Sequence, residues 1–295
     1  MSLSRHIQTT IIPEIKGLSP SELKLMVLET GNAWFESHGE NIELIYHNLR
    51  QLNLVSSTEL IENIKTNILL HYYEKLLPLI LTPQEFAAFI DENIDLSSCN
   101  AIIGEVKKSG RGMLLAIAHL GAVELIGPSI ARHNMPLNVV LKFSTAELSR
   151  SAHDQAENFL KSGLFSPIKF IELGKPQTNG ALDMAAALRR SEALLAVFDE
   201  ATPYNIPVTL FNKTFNGGSG LDKLIMYTRS STAVFTAFMV RCGNGRYKLV
   251  LDEIDSSGKL AVQRLYDSLA TILADHLEQW YFLHEELPLI ETSIS

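Results

Sequence analysis

The chain has 295 residues, 46% of them hydrophobic and 20% charged, a balance that excludes a disordered chain and supplies the core of one large α/β domain. Two cysteines, Cys99 and Cys242, exclude a disulfide framework and form no CxxC metal pair. The net charge of −8 is uneven: residues 101–150 carry six Lys/Arg against three Asp/Glu, yet nothing is dense enough for the basic stripe of a nucleic-acid binder. The first 17 residues lack the apolar run of a cleaved signal peptide, and no stretch reaches the roughly 18 apolar residues of a membrane span. The expectation is an acidic, soluble, cytoplasmic protein.

In chain order, Ser19-Pro20 with Glu22 predicts a helix start, and Leu23, Met26, Val27 and Thr30 follow at helical spacing. Ile42, Ile45, Leu49 and Leu52 form a second apolar stripe, and Ile61, Ile64, Ile68 and Tyr72 a third. Thr82-Pro83 with Glu85 predicts another start. After Gly110 the pattern changes to short continuous apolar runs at 113–118, 137–141, 167–171, 193–198 and 207–211, as in strands buried on both faces. Helical stretches at 121–132, 145–161 and 178–190 lie between most of them. Residues 232–242 and 246–253 flank an Asn244-Gly245 turn and read as a hairpin, and 260–285 returns to helix. The prediction is an α/β fold, a mainly parallel sheet flanked by helices. It is read as one unit over 1–295, with a helical N-terminal portion (1–105) and an α/β core (106–295).

His119-Leu120-Gly121-Ala122-Val123-Glu124 follows the first buried run and opens a helix. Two helical residues five apart lie about 140° apart, so His119 and Glu124 can meet only if His119 sits in the turn before the helix. In that placement Glu124 can fix the imidazole tautomer at Nδ1 and leave Nε2 as a base, while Gly121 and Ala122 leave room for a substrate. Ligands of parallel sheets bind at this carboxyl end of the strands. Lys142, ending the second run, can stabilise an oxyanion or a phosphate. Asp199 and Glu200 close another run and can face the same cleft. Asn216-Gly217-Gly218-Ser219-Gly220 precedes a helix, and the backbone N–H groups around Gly218 and Ser219 can cradle a carbonyl or phosphate oxygen. Trp280, Tyr281 and Phe282 read as packing residues. No nucleophile elbow, metal-ligand string or dinucleotide fingerprint occurs, so neither a metal nor a cofactor is expected.

The H-x4-E string after an apolar strand resembles the catalytic motif of the lysophospholipid acyltransferase superfamily. The resemblance narrows to the lipid A biosynthesis (lauroyl/myristoyl) acyltransferase branch. Tyr46-His47-Asn48-Leu49 resembles that branch's early R-x-N-L-like segment, and Arg189 through Glu200 its L-R-x-G…D-Q stretch. Phe211 through Leu224 resembles its F-F-G…G…L-A stretch, and Glu278 through His284 its closing P-E-Q-W-x-W-x-H-R-R. The resemblance implies transfer of an acyl group from a thioester of acyl carrier protein or coenzyme A to a hydroxyl or amine. His119 is then the general base, Glu124 orients it, and no acyl-enzyme forms. Such a donor, being acidic or phosphorylated, could dock on the basic block of Lys107, Lys108, Arg111, Arg132, Lys142 and Arg150.

The chain departs from the branch in three places. Its first 20 residues are polar where the branch has a membrane-spanning helix. Glu285-Glu286 replaces the closing basic pair, and Leu277 the usual Pro. Acidic residues disfavour an anionic membrane surface. The expectation is therefore a soluble variant in lipid, lipopeptide or polyketide-type biosynthesis, with peripheral contact at the inner membrane left open. The alternative is a catalytically silent homologue acting as a scaffold in a biosynthetic complex.

Overall fold

The computed structural model describes residues 1–143, 145–174, 179–200, 202, 204–256 and 260–290. Helices come first: α1 (Leu3–Ile11), α2 (Pro20–Ser37), α3 (Gly39–Gln51), α4 (Thr58–Ile80) and α5 (Pro83–Asn93). α2 and α5 begin where expected, each on a capping box. Ser19 N–H donates to Glu22 Oε2 and Thr82 N–H to Glu85 Oε2, both at 2.8 Å. α2 packs directly on α4, where a Cβ at Gly31 would lie 2.1 Å from Leu69 Cδ2. That approach fixes α4 against the rest of the chain.

The α/β part continues with β1 (Ile94–Asp95), α6 (Ser97–Ser109), β2 (Gly112–Gly121), a 3₁₀ turn (Val123–Leu125), α7 (Ile126–Arg132), β3 (Leu137–Leu141), α8 (Ala146–Lys161), β4 (Ile168–Glu172), α9 (Gly180–Arg189) and β5 (Ala193–Val197). Then come β6 (Asn205–Leu210), β7 (Lys213–Gly218), α10 (Ser219–Thr228), β8 (Thr232–Arg241), β9 (Tyr247–Glu253) and α11 (Ala261–His276). Two 3₁₀ turns, Leu277–Gln279 and Tyr281–His284, follow. Seven strands form one sheet in the order β1-β9-β8-β2-β5-β3-β4. β8, β2, β5, β3 and β4 run parallel, and β9 returns antiparallel beside β8 through the Asn244-Gly245 turn. β2 is central, and its residues Gly112 to Ala118 are buried, which is why that run is continuously apolar.

The run at 207–211 does not enter this sheet. β6 pairs antiparallel with β7 in a separate hairpin closed at Phe211 and Asn212, both at positive φ. The reason is in its alternation: Val208 and Leu210 are buried while Pro207 and Thr209 are exposed, the pattern of a strand with one face covered. The chain near its end runs beside the hairpin, with Asn216 N–H donating to Pro288 O and Ile290 N–H to Thr214 O. The expected helix over 121–132 begins only at Ile126, after the 3₁₀ turn. The helix over 178–190 is α9, and Thr178 lies outside the described residues. Among the described residues no helix is long and apolar enough to cross a membrane.

Candidate active site

β2 and β5 are paired in register, Ile117 opposite Val197. Two residues further along each strand stand His119 and Asp199, side by side at the carboxyl end of the parallel sheet. Asp199 is buried and fully occupied. Its Oδ1 meets His119 Nδ1 at 2.9 Å, and its Oδ2 accepts the His119 backbone N–H at 2.9 Å and the Trp280 indole N–H at 3.3 Å. Three donors satisfy a carboxylate that burial would otherwise penalise. With Nδ1 so engaged, Nε2 is the free nitrogen, and the side chain keeps 20% of its surface exposed. Glu200 Oε1 lies 3.4 Å from that Nε2, and the Phe282 ring stands edge-on to the imidazole at 5.0 Å. Burial opposes the imidazolium. The Asp199 charge and hydrogen bond, with smaller help from Glu200 and Glu124, outweigh it and hold the His119 pKa above the ordinary histidine value.

This corrects the reading of the H-x4-E string. Asp199, not Glu124, holds Nδ1. Glu124 sits in the 3₁₀ turn with Oε1 3.7 Å from Lys75 Nζ and 3.9 Å from His71 Nε2. His71, Glu74 and Lys75 share one face of α4 by their three- and four-residue spacing. His71 is buried, its ring against Tyr281 at 4.7 Å, and desolvation first, then the charges of Lys75 and its neighbours, push its pKa well below the usual value.

Gly121 and Ala122 do not make room for a ligand. Gly121 has φ +64°, and a Cβ there would lie 2.0 Å from Met239 O on β8. Gly121→Ala combines a left-handed backbone with a backbone clash and is expected to cost at least about 2 kcal/mol in denaturant unfolding. A near-wild-type midpoint would contradict this account. Beneath the turn, Arg241 donates to Gly121 O at 3.0 Å and forks onto Glu74 at 2.7 and 2.6 Å. Gln279 pairs with the Arg241 main chain in both directions, at 2.9 and 3.0 Å, which seats Trp280 against Asp199. Asn48, buried on α3, donates to Leu283 O and Glu285 O and ties down the closing segment.

No protein-family model matches the chain, and no curated protein sequence matches it.

The other expected site residues are not all brought to His119. Lys142 is exposed at the end of β3, two strands from β2 and thus about 10 Å across the sheet. Gly218 and Ser219 form no open cradle: Gly218 ends β7 opposite Asn205, and the Ser219 N–H is spent on Tyr204 O at 2.9 Å. They border the segment that follows Glu200. The basic block does not rim His119 either. Arg111 precedes β2, and Lys107 bonds the carbonyls of His133 and Asn134, just before β3. Arg132 pairs with Asp91. These cations gather at the amino end of the sheet, about 25 Å along β2 from His119. Arg150 lines a cavity of about 400 Å³ between the α4–α5 junction and α8. Among the described residues no group of three or more His, Cys, Asp or Glu side chains is placed to hold a metal ion.

Glu200 provides a direct check of the site's electrostatics. Its charge helps raise the His119 pKa, so Glu200→Gln is expected to lower the imidazole titration midpoint, read by side-chain NMR. An unmoved or raised midpoint would place the Glu200 carboxylate elsewhere in solution.

Proposed function

We propose that the chain is an acyltransferase in which His119 is the general base. It moves an acyl group from a thioester of acyl carrier protein or coenzyme A directly to an acceptor nucleophile. The observation that carries this reading is the His119–Asp199 pair at the carboxyl end of the central parallel strand, with Nδ1 bonded at 2.9 Å and Nε2 left beside the exposed Glu200 carboxylate at 3.4 Å. Asp199 fixes the tautomer and stabilises the imidazolium as it forms, leaving Nε2 to take the proton of the attacking group. The segments that carry the acyltransferase resemblance support it further. Asn48, Asp199, Gln279 and Trp280 belong to three separate stretches, and all of them build or brace this corner of the molecule. Phe282 and Tyr281 line the imidazole with aromatic surface of the kind an acyl chain packs on.

The acceptor attacks the thioester carbonyl carbon, its proton passes to His119 Nε2, and the C–S bond breaks as that proton goes to the leaving sulfur. Incubating the protein with a library of acyl carrier proteins and acyl-coenzyme A species together with a panel of hydroxyl and amine acceptors, followed by intact mass spectrometry, tests the reading. A carrier that loses its acyl group with wild type and keeps it with His119→Ala supports it. Retention of every acyl group across the library overturns it.

A further inference from the structure

Asp199 has one donor more than its bond to the imidazole explains. Oδ1 is committed to His119 Nδ1, and the His119 backbone N–H already reaches Oδ2 at 2.9 Å. The Trp280 indole N–H comes to that same Oδ2 at 3.3 Å. Trp280 is 2% exposed and packs beside Phe215 and Phe282, each ring at 6.5 Å. An indole N–H at that depth has to find an acceptor, but packing alone leaves the choice of acceptor open.

The chain makes the choice from both sides. Trp280 pairs with Leu120, the residue after His119, in an isolated antiparallel bridge, and its backbone N–H donates to Leu277 O at 3.1 Å. Gln279 beside it is locked to the Arg241 main chain. The backbone before Asp199 is held as firmly. Phe198 N–H donates to Ile117 O at 3.0 Å, and Phe198 O accepts the buried Tyr266 hydroxyl at 3.2 Å. Indole and carboxylate are each fixed by bonds of their own, and they meet at Oδ2.

We propose that Trp280 is a positioning residue of the His119–Asp199 pair, its indole N–H anchoring Oδ2 so that Oδ1 stays on Nδ1 and part of the carboxylate charge is drawn off the imidazole. The consequence for turnover rests on the acyl-transfer reading; the consequence for His119 itself does not. The His119 backbone N–H belongs to the very residue that has to be aimed. Trp280 braces the carboxylate from a separate segment of the chain. Its donor also shares the negative charge that stabilises the imidazolium. A base that takes a proton from the acceptor and returns it to the leaving sulfur works best when neither step is made too hard.

Two NMR measurements on the whole chain test this. The protein has two tryptophans. Trp34 donates to Met1 O at 3.2 Å, and Trp34→Phe assigns the two indole N–H signals. In wild type the Trp280 indole signal should inflect at the titration midpoint of His119, because its acceptor answers to the imidazole charge. An indole signal without that inflection overturns the proposal with no variant of Trp280 needed. Trp280→Phe then keeps an aromatic ring and removes the donor. Asp199, Glu200, Glu124, His71 and Tyr281, the titratable groups around His119, all remain. More of the Asp199 charge falls on the imidazole, so the His119 midpoint should rise by about half a pH unit. Phe215→Leu loosens the packing on the same ring and keeps the donor, so it should leave the midpoint in place. An unmoved or lowered midpoint in Trp280→Phe overturns the proposal, as does an equal shift in Phe215→Leu. With a donor and acceptor that wild type uses, Trp280→Phe should lower kcat about 3- to 10-fold at nearly constant KM, because the imidazolium yields its proton to sulfur less readily. A raised KM at constant kcat would make Trp280 a substrate-binding residue and overturn the positioning role. Absence of turnover by wild type with every donor and acceptor overturns the acyl-transfer reading alone, and the two NMR results still decide the role of Trp280.

Discussion

His119→Ala is expected to lower turnover by about 10²–10⁴-fold, the usual contribution of a positioned general base. Asp199→Asn should fall in the same range. An amide in place of the carboxylate can no longer stabilise the imidazolium, and it can present an N–H that forces the wrong tautomer at Nδ1. The 2.9 Å contact makes the two side chains one device, so the double variant should be little worse than His119→Ala alone. Glu124→Gln should behave differently. Its carboxylate lies with Lys75 and His71 rather than on Nδ1, so its loss should be smaller. It should also leave the His119–Asp199 coupling intact. These four variants and the Glu124→Gln/His119→Ala double, assayed with one thioester donor, decide the matter. Multiplicative losses for His119 and Asp199 would break the pair apart. A Glu124 effect that vanishes in the His119→Ala background would restore Glu124 as the orienting group.

The sequence made the strands around the site legible because β2 and β5 are largely continuous apolar runs, the composition that a strand buried on both faces favours. It also placed His119, Asp199 and Glu200 at strand ends. It did not reveal which carboxylate meets the imidazole. Glu124 is five residues away along the chain and Asp199 eighty, and only the pairing of Ile117 with Val197 brings the distant one alongside. Register between parallel strands is set by the whole packed sheet and leaves no local signature. The same limit hid Arg241, which reads as the end of a hairpin strand until α4 is laid across it. His71, Glu74 and Lys75 carried a signal: three polar groups at helical spacing in a largely apolar stretch of α4. The basic block misled for the opposite reason. Its residues are close in sequence around β2, but one strand's length separates the amino end, where most of them lie, from the carboxyl end that holds His119.

Arg241→Ala is expected to be the most damaging single substitution for stability, at about 3–5 kcal/mol. The Arg241 side chain is 8% exposed and that of Glu74 not at all, so removing the guanidinium leaves a carboxylate in the interior with no charge to answer it. Burial raises the Glu74 pKa, and the Arg241 charge and hydrogen bonds, with a smaller contribution from Tyr247, pull the other way. Arg241→Lys should recover part of the loss, because an ammonium restores the charge but cannot fork onto Glu74 while also reaching Asn67 Oδ1 and Gly121 O. Removing both charges separates stability from function. A well-packed apolar pair, Glu74→Leu with Arg241→Met, should regain most of the unfolding free energy, since replacing both partners avoids the unpaired charge. It should not regain activity. The carbonyl of Gly121, two residues after His119, loses its donor, and the turn that aims the imidazole loses its clamp to α4. Denaturant unfolding and donor turnover on the same preparations test both halves. If the apolar pair restores turnover along with stability, the clamp is structural alone. If it restores neither, the site depends on the charges themselves.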